Sequence, residues 1–134
     1  MSDTTAHTGA LAGRVALITG ASRGVGAAVA KRFAAEGAHV ILLARTVGGL
    51  EEIDDAIKTA GGQATLVPCD LTEFEAIDTL GPALLERFDK LDILVGNAGA
   101  LGEMTPLTHY DAKAWHEDFD VNVHANWRLI RTLD

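Results

Sequence analysis

The sequence predicts an α/β domain, a parallel sheet with helices on both faces. Three observations carry this. Strand-length apolar runs alternate with helix-period stretches four times between Val15 and Asp134. Those runs are apolar almost throughout, as strands covered on both faces are. The first, Val15-Ala16-Leu17-Ile18, leads through Thr19 into a glycine turn, Gly20 to Gly26, that opens a helix. Right-handed crossovers, with the glycine turn on the first strand, give strand order 3-2-1-4.

Each element has its own reason. Val25, Val29 and Phe33 recur every fourth residue and predict a first helix over Val25–Glu36 with those three as its buried stripe. Gly37 stops it, as glycine just past a helix does. His39 to Ala44 is nearly all apolar and reads as the second strand. A loop through Gly48-Gly49 leads to a second helix with Leu50, Ile53 and Ile57 on one side, stopped by Gly61-Gly62. Ala64 to Val67 is the third strand, ending at Pro68. Thr72 with Glu75 three residues on reads as a capping box for a third helix, whose apolar face is Phe74, Ile77, Leu84 and Phe88. Pro82 predicts a kink or break after Gly81. Leu91 to Val95 is the fourth strand, running into Gly96-Asn97-Ala98-Gly99, and a loop to about Tyr110 precedes a largely helical end, Asp111 to Asp134.

At 134 residues the chain has the length of one domain, with 48% hydrophobic and 22% charged residues. Its net charge of −8 argues against a general nucleic-acid binder. The charge is uneven: residues 1–45 carry five basic and two acidic side chains, +3, and the remainder six and seventeen, −11. The positive part holds the glycine turn, which suits a phosphorylated small ligand. One cysteine, Cys69, excludes an intrachain disulfide and fits a reducing compartment. The start is polar and no apolar run approaches spanning length, so a disordered segment over residues 1–12 and a cytoplasmic, membrane-free protein are expected.

The spacing Gly20-x-x-x-Gly24-x-Gly26 between a strand and a helix builds an anion site. Glycine lets the backbone bend and approach a ligand, and the helix behind it offers unpaired N–H groups and a positive dipole end. No Lys-Ser/Thr pair follows, so it is not a P-loop. Strand order 3-2-1-4 puts Gly20 to Gly26 and Asn97 to Gly99 on opposite lips of one crevice. Other chemistries fit less well. His116-Glu117 lacks the second histidine of a zinc pattern, and no metal site is expected. Gly20-Ala21-Ser22-Arg23-Gly24 spells a nucleophile elbow, which keeps a serine hydrolase using Ser22 as a distant alternative.

Four blocks together resemble the amino-terminal half of the short-chain dehydrogenase/reductase family: Thr19-Gly20-x-x-x-Gly24-x-Gly26, Asp70-Leu71, Asn97-Ala98-Gly99 and Val121-Asn122. The resemblance runs from about Gly13 to the end and implies an incomplete Rossmann domain over 13–134, with half of the usual sheet missing. It implies that Gly20, Ala21, Ser22, Arg23, Gly24, Val25 and Gly26 cradle the dinucleotide phosphates and adenosine ribose. Asp70 would accept from the adenine amino group, Leu71 would line the adenine pocket, and Asn97, Ala98 and Gly99 would close the crevice beside the ribose. Asn122 looks like the asparagine of the family's Asn-Ser-Tyr-Lys tetrad, which bends its helix and holds a water on the proton relay. Without the pattern, Asp70 reads as a turn residue and Asn122 as a helix asparagine bonded to local backbone.

Charge argues the choice of cofactor. Where NAD binders usually carry an acid after the second strand, Ala44 is followed by Arg45. A guanidinium bonds a 2′-phosphate that an acid would repel, and Arg23 can approach from the other side, so NADP(H) is the expected cofactor. Tyr110 is the one tyrosine. It precedes Asn122 and has Ala114, not lysine, four residues on, so it is not the family's catalytic tyrosine. The expectation is an NADP-dependent oxidoreductase acting on a carbonyl or alcohol, present as a cofactor-binding fragment without the Ser, Tyr and Lys. The alternative is a protein that only binds the dinucleotide. Trp115, Phe119, Trp127, Leu129 and Ile130 crowd the last helical segment, and the resemblance suggests that part of this surface joins two copies.

Overall fold

The computed structural model describes residues 9–134. Four strands form one parallel sheet: β1 (Val15–Thr19), β2 (His39–Ala44), β3 (Gln63–Pro68) and β4 (Ile93–Val95). Their spatial order is β3-β2-β1-β4, the expected 3-2-1-4. Val15 to Thr19 pair with His39 to Leu43, His39 to Ala44 pair with Gln63 to Pro68, and Ala16 to Ile18 pair with Ile93 to Val95. The helices are α1 (Gly24–Ala35), α2 (Val47–Thr59), α3 (Phe74–Phe88), α4 (Ala112–Phe119) and α5 (Ala125–Leu133). A five-residue π segment, Asp120–His124, joins the last two, and a 3₁₀ turn, Leu107–His109, precedes them.

Alternation along the central strands divides the core in two. Ile18, Val40, Leu42 and Ala44 pack under α1 and α2 with Leu50, Ile53 and Ile57. Leu17, Ile41 and Leu43 point to the other face, against Ile77, Leu80 and Leu84 of α3 and Ala125 and Leu129 of α5. Strands buried on both faces have no polar side to offer, which is why they read as continuous apolar runs.

Several local expectations change. The buried face of α1 is Gly26, Ala27, Ala30 and Ala34, while Val25 is 70% exposed. Small residues bring the helix close against the sheet; valine at 25 falls on the outer side of the first turn. Gly48 and Gly49 lie inside α2, not in a loop before it. A Cβ on Gly49 would stand 2.9 Å from that of Ser22, so this glycine lets α2 pack against the turn. Thr72 makes no capping box: its N–H and hydroxyl both donate to Asp70 Oδ1, at 2.9 and 2.8 Å, and Glu73 occupies the cap position. Residues 9–12, expected as disordered, form a turn in which Leu11 N donates to Glu36 O at 2.9 Å; residues 1–8 of that expectation lie outside the described part.

Pro82 does not break α3, which runs through it. Proline at 82 removes the N–H that would bond the Asp78 carbonyl. Thr132 Oγ1 of α5 donates to that carbonyl at 2.9 Å instead. Gly81 makes the approach possible, because a Cβ there would collide with the Thr132 carbonyl. The Arg128 guanidinium closes the same contact, 2.7 Å from Asp78 Oδ2. A helix breaker has become the place where two helices, α3 and α5, join.

Candidate functional site

The site is built where β1 and β4 end side by side. Thr19, fully buried, bridges them: its hydroxyl donates to Val95 O at 3.3 Å and accepts from Ala98 N at 2.9 Å. Asn97 returns the bond, Nδ2 donating to the Thr19 and Gly20 carbonyls at 3.2 Å each. Gly20 takes φ +62° at this crossing, and a Cβ there would meet Asn97 Nδ2 at 2.9 Å and Ala98 Cα at 3.0 Å. Gly24, at φ +58°, starts α1 with open space where a side chain would stand. Arg23 at the N-cap makes no side-chain bond to the helix, so the first N–H groups remain available to an anion.

Between these lips lies a crevice of about 720 Å³. It is lined by Gly20, Ser22, Arg23 and Gly24 on one side, Asn97, Ala98 and Gly99 on the other, and Arg45, Asp70 and Leu71 beyond the ends of β2 and β3. Four of the residues singled out from the sequence do not line it. Ala21 lies fully buried, its N–H bonded to Leu43 O. Val25 points away. Gly26 has a packing role, since a Cβ there would run into the Gly20 carbonyl and Asn97. Asn122 sits behind the Gly99 lip. Thr46, Gly49 and Glu117 line the crevice without having been singled out, and Val121, quoted with Asn122 in the fourth block, lines it as well.

The electrostatics follow from local bonds. The two Thr72 donors hold the Asp70 carboxyl below its ordinary pKa, and Arg45 adds to this. Arg45 is thus near enough to Asp70 to be felt, and among the described residues neither it nor Arg23 is in an ion pair. Burial, then the nearby Asp70 and Glu73 carboxylates, push the Cys69 thiol up, the opposite of an activated nucleophile. No histidine shares the crevice with Ser22 among the described residues, so a base for a hydrolase is missing there. No three metal-ligating side chains converge among those residues.

Asn122 falls in the π segment. Its side chain pairs with the Ala100 backbone, Nδ2 donating to O at 2.8 Å and Oδ1 accepting from N at 2.9 Å. It therefore ties the loop after β4 to the helix. Tyr110 is held elsewhere: its hydroxyl donates to Asp118 and accepts from Glu103 N at 3.1 Å. The bond to Asp118 keeps the phenolic proton in place and raises the pKa, away from a group ready to transfer a proton at neutral pH.

A family model described as short chain dehydrogenase matches residues 14–133. A fatty acyl-CoA reductase of Acinetobacter baylyi is 49% identical over 125 residues, covering 90% of this chain and 41% of that protein. A metagenomic short-chain oxidoreductase solved in complex with NADP superposes with TM-score 0.89 at 38% identity, over 91% of this chain and 55% of that one. Carveol dehydrogenase from Mycobacterium avium, solved with NAD, gives 0.85 at 30% identity, over 93% and 50%. The chain thus spans less than half the length of that curated relative. A glycine turn at the end of β1, the Asn97 lip at the end of β4, sheet order and sequence agree, and the chain belongs to the short-chain dehydrogenase/reductase family of oxidoreductases.

Proposed function

We propose that this chain is the NADP(H)-binding part of an oxidoreductase that interconverts a carbonyl compound and an alcohol. The observation that carries the choice of NADP(H) is Arg45, on the crevice wall after β2 and in no ion pair among the described residues, with Arg23 lining the same crevice. An acid at that position would bond a ribose 2′-hydroxyl; a guanidinium bonds a 2′-phosphate. The volume fits, being within the range of small-molecule and cofactor sites, and so do the two positive-φ glycines that let backbone approach a pyrophosphate. When bound, the nicotinamide would supply or accept the hydride. The residues here hold and orient: the first turn of α1 the phosphates, Asp70 and Leu71 the adenine, Asn97 to Gly99 the adjoining ribose.

Proton transfer falls to groups outside these residues. Tyr110 is committed to Asp118, and the family's Ser, Tyr and Lys have no counterparts in this chain. The relatives' greater length supports reading it as the cofactor half of a longer protein. The fatty acyl-CoA reductase similarity makes fatty acyl-CoA thioesters the first substrates to try with a longer form. Among the described residues no helix is long and apolar enough to cross a membrane; the single cysteine suits a reducing, cytoplasmic compartment.

The test titrates NADPH and NADH into the 134-residue chain and its Arg45→Asp variant. A charge-assisted bond contributes about 1.5–3 kcal/mol, so NADPH affinity should fall at least about tenfold while NADH affinity holds or rises. Equal NADPH affinity in the two proteins overturns the cofactor assignment. The chain alone should oxidise no NADPH with a panel of ketones and aldehydes; turnover above background would place the proton donor within it.

A further inference from the structure

The structure also holds a pair of asparagines whose second member has no part in the site just described. Asn122 and Asn126 are four apart on the last helical segment, hence on one face. That face looks onto two glycines three apart in the turn after β4. A Cβ on Gly99 would stand 3.1 Å from Asn122 Oδ1, and one on Gly96 would stand 2.7 Å from Asn126 Oδ1. Asn126 Nδ2 in turn donates to the Asn122 carbonyl at 3.1 Å.

This bond falls in the π segment. Ala125 N bonds back five residues to Asp120 O, so the regular carbonyl ladder is interrupted over Asp120–His124. A carbonyl in that stretch is aimed by whatever donor reaches it. Asn126 Nδ2 supplies the Asn122 carbonyl with a side-chain donor there, and its own amide is seated against the bare Cα of Gly96.

We propose that Gly96 and Asn126 form a lock that positions Asn122. Asn126 fixes the Asn122 main chain from the helix side; Asn122 then presents both ends of its amide to Ala100 and holds the lip formed by Gly99 and Ala100. Asn126 touches none of the crevice itself. It is a positioning residue, acting through Asn122 on the loop that closes the site. The link to catalysis rests on the oxidoreductase reading; the link to Ala100 does not.

Amide hydrogen exchange on the 134-residue chain separates the two. In Asn126→Ala the exchange of the Ala100 N–H should quicken by about 2- to 10-fold, the worth of one ordinary hydrogen bond, while amides of β1 and β2 are unchanged. Asn126→Asp keeps the shape and removes the donor, and should do the same. Gly96→Ala reaches the lock from the other side: its new methyl displaces the Asn126 amide and should reproduce the Ala100 signature. Because both act on one contact, Gly96→Ala added to Asn126→Ala should add nothing further at Ala100. Unchanged Ala100 exchange in both Asn126 variants, or additive effects in the double variant, overturns the lock. If Ala100 responds but wild-type chain fails to bind NADPH, the lock stands and the cofactor reading falls. If both hold, NADPH should protect Ala100 less in Asn126→Ala than in wild type.

Discussion

Thr19 carries more than its place in a strand suggests. Its hydroxyl spans two strand ends, and its carbonyl anchors Asn97. Nothing in the local sequence around Thr19 announces a partner 79 positions away. The four blocks of residues were legible because glycines and asparagines at fixed spacing follow strand ends. Their bonding was not, because it depends on β1 and β4 becoming neighbours. His39 makes a separate case at this scale. Its Nε2 shares a 2.8 Å hydrogen bond with Thr65 Oγ1, and its ring lies 5.0 Å from that of Phe88. Burial lowers its pKa, and Arg87 and Lys58 add to this, against a hydrogen bond that the ring donates to Gln63. A folded pKa below the unfolded value of about 6.5 means that the unfolded chain binds the extra proton first. Stability is therefore fully present above that value, falls as pH drops through it, and levels off below the folded pKa. The urea midpoint should fall between about pH 7.5 and 5.5 in wild type and fall less in His39→Gln. Parallel decline in the two proteins would assign the loss to other groups.

At the scale of elements, what was read correctly came from periodicity, and most of what was misread came from contacts between elements. The apolar runs of β1 and β2 and the Leu50, Ile53, Ile57 stripe of α2 are properties of each segment alone, and the structure buries them. Val25 was misassigned because every-fourth-residue spacing finds a face without saying which face the sheet takes. Alanines that let a helix approach carry little hydrophobic signal, yet Ala27, Ala30 and Ala34 are the contact. Pro82 was misread for the same kind of reason: the donor that replaces its missing N–H lies in α5. Removing that donor should be felt. Thr132→Val keeps the shape, leaves the Asp78 carbonyl without the Thr132 bond, and should cost about 1–3 kcal/mol. Thr132→Ser restores the hydroxyl and should recover most of it. Urea unfolding of the three proteins checks this; a Thr132→Val midpoint equal to wild type would mean that water serves the carbonyl as well.

For the whole molecule, the remaining question is what faces outward. Leu129 is fully buried against the sheet, but Trp115, Phe119, Val123, Trp127 and Ile130 are 42–62% exposed. They recur at steps of four, four, four and three along α4, the π segment and α5, so they share one stripe opposite the face that carries Leu129. A stripe containing two tryptophans is costly to leave in water and is the composition of a contact between macromolecules. Two copies meeting on it about a twofold axis would bury each tryptophan against its symmetry mate's neighbours. Self-association through this segment is our proposal for the stripe, and it gives a concentration-dependent expectation. Sedimentation should find the wild-type chain heavier than a monomer at tens of micromolar, and Trp127→Glu should return it to a monomer, because the substitution removes the apolar ring and puts in its place a carboxylate that is costly to desolvate. Arg131, which stacks over Trp127 at 4.6 Å, offers the introduced carboxylate a bond within its own chain and should preserve the fold. A monomeric wild type, or a Trp127→Glu variant that still associates, would remove the stripe as the contact.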